Sequence, residues 1–168
     1  MTGADNQQER PCIEAISSSL GSFLSGFALR QGSFMLVCRR RDQDARRFRI
    51  SAAFNVSQRD RAPLDLFRET LGRGTLRQAG NGGWYWEVNR LSDISGRIVP
   101  FFDRFPIVRQ KAEDYRLWRS AVGLLCAGRL SDQDYAKVLA LRERMNRRGK
   151  RRYRMHGILR DYTPSPLA

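Results

Sequence analysis

The sequence predicts an α+β fold in the order αββαββα, a four-stranded antiparallel sheet with helices on one face and extra helices at the C-terminal end. Three features of the pattern point there. Apolar residues recur at intervals of three and four before residue 30 and again after residue 90, the spacing that lines one side of a helix. Residues 48–58 alternate between apolar and polar, as a half-buried strand does. The strand-like segments also come in two adjacent pairs, each joined by a short charged or glycine-rich stretch that suits a hairpin.

The first helix covers residues 16–28, where Leu20, Phe23, Leu24 and Phe27 form an apolar stripe. Gly21, Ser22, Ser25 and Gly26 give it small side chains that let another backbone come close, so a second helix is expected against it. Residues 33–40 form one strand and 48–58 the next, with the charged segment 41–47 as their loop. In the second strand Phe48, Ile50, Ala52, Phe54 and Val56 share a face, and Arg49, Ser51, Ala53, Asn55 and Ser57 share the other. Pro63 suits the first turn of a helix that closes at Gly72. Residues 74–78 and 83–89 form a second hairpin around Gly80-Asn81-Gly82, with Trp84, Trp86 and Val88 opposite in face to Tyr85 and Glu87. Helices are then expected over 91–105, 109–126 and 131–145, the last with Ser131 and Asp134 as a capping box. The chain divides into a flexible leader (1–15), the αββαββα domain (16–128), a C-terminal helix with a basic segment (129–160) and a tail (161–168), with no internal repeat.

A chain of 168 residues, 41% of them hydrophobic, suits one core. Its formal net charge is +14, from 31 Lys and Arg against 17 Asp and Glu. That excess repels itself in a compact state, and a polyanion relieves it, so nucleic acid is the expected partner. Apart from Lys111, Lys137 and Lys150 the cations are arginines, whose planar fork suits phosphate oxygens and guanine edges. Cys12, Cys38 and Cys126 are odd in number and lack paired spacing, which argues against a disulfide framework and a zinc site and fits a reducing compartment. The first ten residues do not read as a secretory signal, and no apolar run is long enough for a bilayer. The expectation is an intracellular protein, in a bacterial cytoplasm or an organellar matrix, with no membrane partner. His156 sits in a basic tail without a catalytic companion.

The run Leu24-Ser25-Gly26-Phe27-Ala28-Leu29-Arg30-Gln31-Gly32-Ser33-Phe34 ends an apolar helix on Gly-Ser-Phe and leads straight into Phe34-Met35-Leu36-Val37-Cys38. It resembles the signature helix of the LAGLIDADG homing endonucleases, in the type that carries one motif. The resemblance continues through Phe54-Asn55-Val56-Ser57-Gln58-Arg59, Leu71-Gly72-Arg73-Gly74, Trp84-Tyr85-Trp86-Glu87-Val88, Ile98-Val99-Pro100-Phe101-Phe102 and Arg109-Gln110-Lys111-Ala112-Glu113-Asp114-Tyr115, covering roughly residues 16–153. It implies the same αββαββα core. It also implies a homodimer joined at the signature helices, with Gly21, Ser22, Ser25 and Gly26 as the interface; an intramolecular helix contact is the other reading of those four.

In that family the helix ends in acids, at the positions of Leu29 and Gln31, and the second holds a divalent metal such as Mg²⁺ beside the scissile phosphates. Here Gln31 occupies the metal position, and an amide is a poorer ligand than a carboxylate. Gln58 matches a residue that orders active-site water, and Arg109 or Lys111 matches the basic residue near the cleaved phosphate. From the residues alone, Gln58 reads equally as a strand-end cap, and Arg109 and Lys111 as partners for Glu113 and Asp114.

By face and motif position, Arg39, Arg41, Arg49, Asn55, Ser57, Arg77, Tyr85 and Glu87 are expected to read a major groove. Arg147, Arg148, Lys150, Arg151 and Arg152 are expected to grip phosphates without sequence preference. Two copies would address a long, near-palindromic double-stranded DNA site. The expectation is therefore a homing endonuclease homologue, of intron or intein type, that uses Mg²⁺ if active and whose DNA cleavage Gln31 impairs. The alternative is a retired, DNA-binding regulator or an RNA-binding intron splicing helper on the same scaffold. A basic RNA-binding protein outside the family accounts for the charge alone.

Overall fold

Alternation in the second strand, β2 (Phe48–Gln58), decides where the core lies. Phe48, Ile50, Ala52, Phe54 and Val56 are buried, whereas Arg49 and Ser57 on the opposite face are exposed. In the computed structural model, which describes residues 12–145 and 152–160, β1 (Gly32–Arg40) pairs antiparallel with β2 from Gly32↔Val56 to Arg40↔Phe48. On the other side β4 (Trp84–Val88) pairs with β2, and β3 (Thr75–Gln78) pairs with β4, giving the order β1-β2-β4-β3. Helix α1 (Ser18–Gln31) enters β1 directly, and α2 (Ala62–Leu71) links the two hairpins. After β4 come α3 (Leu91–Asp93), a π-turn (Ile94–Ile98), α4 (Val99–Arg104), α5 (Gln110–Cys126), α6 (Asp132–Arg144) and α7 (Met155–Arg160). The αββαββα order is the one the sequence predicts.

Local chemistry explains the element ends. Ser17 caps α1 by accepting from the Leu20 amide at 3.3 Å, and Ser131 caps α6 by accepting from Asp134 N at 3.1 Å while donating to its carboxylate at 2.8 Å. The helix expected to run unbroken over 91–105 instead contains the π-turn just ahead of Pro100, a residue with no N–H to continue an α-helical ladder. Gly74 sits at φ +93°, and a Cβ there would lie 2.5 Å from the Trp86 indole nitrogen. That close approach lets Trp86 donate to Arg73 O at 2.9 Å while its ring stacks on Phe67 at 5.4 Å.

The core extends beyond the αββαββα unit. Tyr135, Val138, Leu139, Met145 and Ile158 join the same buried cluster as the sheet, so the C-terminal segment has no separate core. Of the leader expected over 1–15, residues 1–11 lie outside the described residues, while Ile13 is buried beside Ile16 and accepts from Arg104 at its carbonyl. On the α4–α5 contact, Tyr115 donates to Asp103 at 2.8 Å, and Arg119 pairs with the same carboxylate. The Arg119 hydrogen bond, against the opposing effect of burial, holds the Asp103 carboxyl below its usual range. A depressed folded pKa stabilises above the unfolded carboxylate value of about 3.9 and is lost as pH falls through the folded value. Asp103→Asn should therefore lower the melting temperature slightly at neutral pH, by less than about 1 kcal/mol for so exposed a pair, with the gap closing in acid. Melting curves at neutral and strongly acidic pH check this.

Candidate nucleic-acid interface

The helices leave the second face of the sheet uncovered, and the strand register determines what lies there. Thr75, Glu87, Asn55 and Ser33 form one row across the four strands, and Arg77, Tyr85 and Ser57 form the next. Farther along the first hairpin, Arg39 lies opposite Arg49. An open groove of 610 Å³ over one end of this face is lined by Asn55, Ser57, Gln58, Tyr85 and Glu87, together with Arg59 and the turn residue Asn81. The structure thus brings together Asn55, Ser57, Tyr85 and Glu87, with Arg77 beside Tyr85. Ser33 and Thr75, absent from the sequence reading, complete the first row. Their strand phase marks them, since each is an even number of residues from one already chosen on its strand.

Several arginines away from the open face are matched with acids, among them Arg61 with Asp65 (2.8 Å), Arg73 with Asp93 (3.0 Å) and Arg119 with Asp103 (2.8 Å). Among the described residues, Arg39, Arg41, Arg49 and Arg77 pair with no carboxylate. Arg39 facing Arg49 is a like-charge cross-strand pair, an arrangement that destabilises a sheet unless an anion lies over it.

The end of α1 forms a second feature. Gln31 is its last residue, and at Gly32 a Cβ would lie 2.7 Å from Ala28 O, so the turn into β1 is tight. Lys111, in the first turn of α5, reaches this point and donates from Nζ to Ala28 O (3.1 Å) and Gly32 O (2.5 Å). A cation suits a helix C-terminus, where carbonyl dipoles converge. Burial lowers the Lys111 pKa from its usual value, and the nearby Asp114 charge opposes that shift. Lys111 is therefore a cap on α1, while Glu113 is held by Arg116 at 2.7 Å. Arg109 is exposed just before α5 with φ +60° and ψ −146°, a backbone region that glycine ordinarily occupies. Gln58 accepts from the Arg59 amide at 2.8 Å, so it caps the strand end as well as lining the groove.

These residues do not fit a Mg²⁺ ion. The end of α1 offers a neutral Gln31 amide and two main-chain carbonyls that already accept from an ammonium, whereas Mg²⁺ prefers charged oxygens and its own waters. Among the described residues no group of three or more His, Cys, Asp or Glu converges to hold a metal.

The small residues of α1 do not form one face, which corrects the four-residue interface. A Cβ on Gly21 would lie 2.4 Å from the Phe105 ring, and the Ser25 hydroxyl donates to Pro106 O at 3.4 Å, so both face inward. Ser22 and Gly26, one position on and about 100° around the helix, face outward. Nothing lies within 4 Å of a Cβ on Gly26, and neighbouring Phe23 is 52% exposed. In the basic segment, Arg152 lies over the Tyr153 ring at 5.4 Å; Arg147, Arg148, Lys150 and Arg151 fall outside the described residues.

A four-stranded antiparallel sheet, helically covered on one side and cationic on the other, defines an αββαββα protein with a basic open face. The family model for LAGLIDADG endonucleases matches residues 24–122, more than half of the chain, and the chain belongs to that family. It is 27% identical over 107 residues to the "Uncharacterized 50.9 kDa protein in ND4 intron 1" of Podospora anserina, a match spanning 61% of this chain and 24% of that protein. Among solved structures it is similar to the homing endonuclease I-TnaI, with TM-score 0.76 and 21% identity over 84% of this chain and 96% of that one. The archaeal intron-encoded homing endonuclease I-Vdi141I, complexed with DNA, gives TM-score 0.77 and 17% identity over 84% and 92%. I-SmaMI bound to cleaved DNA gives TM-score 0.76 and 20% identity over 95% of this chain and 52% of that one. The chain thus spans about a quarter of the Podospora protein and about half of I-SmaMI. At these identities the structural likeness establishes the fold.

Proposed function

We propose that two copies of this chain bind a long, near-palindromic double-stranded DNA site, with their open sheet faces along the major groove. We propose too that Gln31 leaves cleavage of that DNA weak or absent. The observation that carries the reading is the strand register, which gathers Arg39, Arg49, Asn55, Ser57, Arg77, Tyr85 and Glu87 on one open face, where the arginines pair with no carboxylate among the described residues. A two-stranded ribbon fits a major groove, where Arg pairs with guanine, Asn with adenine, and Glu accepts from cytosine. Asn55, Ser57, Tyr85, Glu87 and Arg77 are the base-reading set at the groove, and Arg39, Arg41 and Arg49 act at the hairpin end. Arg147, Arg148, Lys150, Arg151 and Arg152 supply phosphate contacts. The two DNA-bound relatives of the same fold support a DNA partner.

At the end of α1, Lys111 uses two of its three N–H donors on Ala28 O and Gly32 O, which leaves one for a phosphate oxygen. Arg30 is exposed beside it and adds positive charge where a carboxylate would attract a metal. In this reading phosphate is held there by cations, and among the described residues no carboxylate cluster is placed to hold a metal that would ionise the attacking water. An RNA-binding splicing helper on the same scaffold is the second reading. A DNA-binding regulator uses the same face and the same missing acid.

Selection from a random duplex pool should return a pseudo-palindrome. Binding should weaken steeply with salt, by about 10³–10⁵ between 50 and 200 mM for 6–10 phosphate contacts, and should not require Mg²⁺ at matched ionic strength. The unaltered chain should cut that site poorly, and Gln31→Asp should gain Mg²⁺-dependent nicking. Robust cleavage without the substitution would overturn the loss of activity. Preference for intron RNA over duplex at equal salt would overturn the DNA assignment.

A further inference from the structure

The family match ends at residue 122, and α6 and α7 lie beyond it. They pack on the part of the sheet with the least support. Pairing between β2 and β4 covers only Phe54–Val88 to Gln58–Trp84, whereas β1 and β2 remain paired as far as Arg40↔Phe48. From Ala53 back to Phe48, then, β2 has one strand neighbour. A two-stranded ribbon twists more freely than a wider sheet and is only marginally stable alone.

Three side chains tie that ribbon to the C-terminal segment, Arg46 from the hairpin loop and Tyr135 and Arg142 from α6. Arg46, in the hairpin loop, donates to Leu130 O (2.5 Å) and to Asp132 (3.0 Å), and lies over the Tyr135 ring at 4.9 Å. Tyr135 donates its hydroxyl proton to Phe48 O at 3.0 Å, on the first residue of β2. Arg142, only 8% exposed, donates to Leu36 O on β1 (3.0 Å) and to Tyr153 O (2.9 Å), while the Tyr153 ring packs edge-on against Phe48 at 5.0 Å. An arginine is rarely buried unless its geometry is used, and here it ties the edge strand to α6 and to the segment leading into α7. The braced end carries Arg39, Arg41 and Arg49 on the open face. It is also the far end of the subunit, because β1 starts where α1 stops and runs 9 residues. At about 3.3 Å per residue the tip lies roughly 30 Å from the α1 terminus.

We infer that α6 and α7 set the DNA sequence preference at the outer ends of the bound site by fixing the twist of the β1–β2 ribbon, with Arg46, Tyr135 and Arg142 as positioning residues that touch no DNA. The inference rests on the DNA-binding reading above. A base-specific arginine contact needs both guanidinium nitrogens aligned with one guanine edge, so a few degrees of ribbon twist removes discrimination while leaving phosphate attraction in place.

The test is selection from a random duplex pool with the full-length chain and with Tyr135→Phe, Arg46→Met and Arg39→Ala. Tyr135→Phe and Arg46→Met should relax the same outer positions as Arg39→Ala. Discrimination there, about 5- to 150-fold per base pair for a specific contact, should fall to less than about 2-fold while central positions keep theirs. Thermal melts accompany each variant. Arg46→Met, on the loop, keeps the test decisive if Tyr135→Phe lowers stability. An unchanged preference in both brace variants overturns the inference, as does an even loss across all positions. If the unaltered chain selects no duplex sequence, the DNA reading itself fails and the brace has nothing to position.

Discussion

Phe34→Ala is expected to destabilise the fold by about 3–5 kcal/mol, the range for emptying a buried phenylalanine site. Phe34 is 1% exposed, and its ring centroid lies 5.0 Å from Phe54, 5.2 Å from Phe102, 5.2 Å from Tyr115 and 5.1 Å from Trp118. Those partners come from β2, α4 and α5, so the cavity would open between elements that cannot collapse together without moving the sheet. Domains of this kind carry only about 5–15 kcal/mol in total, so a large part of the population should unfold on mild heating. Function should suffer with it, because Phe34 is two residues past Gly32, whose carbonyl holds Lys111. Urea unfolding is the check: the midpoint should fall at constant slope, and Phe34→Leu, which keeps most of the volume, should recover much of the loss. A midpoint unmoved by alanine would mean that the four-ring contact does not carry the core.

What was legible in the sequence was whatever depends on neighbours along one strand. Alternation through Phe48–Gln58 and Trp84–Val88 assigns Arg49, Asn55, Ser57, Tyr85 and Glu87 to one face, and the register places them there together. Contacts between distant segments were not legible. Gly21 and Gly26 look alike in the sequence, yet Phe105 fills the space over one and leaves the other open. Lys111 has Asp114 three residues on along its own helix, but its half-buried ammonium donates instead to the carbonyls at the end of α1. Arg142 sits in an ordinary charged helix by composition, and its role follows only from the carbonyl of Leu36 on an edge strand. The metal position shows both limits: Gln31 itself is visible in the motif, while the occupation of the adjoining carbonyls by Lys111 is a property of the fold.

Gly26→Leu should leave the subunit folded and abolish the pairing proposed above. Space around a Cβ at Gly26 is open, and replacing a mid-helix glycine with a good helix former favours the helix by about 1 kcal/mol, so melting should hold or rise. A leucine there would nevertheless keep two α1 helices from meeting along Ser22, Phe23 and Gly26. Each subunit would then hold one half of the DNA site, and the avidity of a linked pair, about 10²–10⁴-fold, would disappear from the apparent affinity. Gly21→Ala provides the opposite case. Its methyl would run into the Phe105 ring, an overpacking that costs about 1–3 kcal/mol, while the outward stripe stays intact. One substitution should thus lose DNA affinity without stability, and the other stability without pairing. Sedimentation on and off DNA, with melts of both variants, separates them. A Gly26→Leu chain that still sediments as a pair on its site with full affinity would place the seam elsewhere than on α1, and the exposed Phe23 would need another partner.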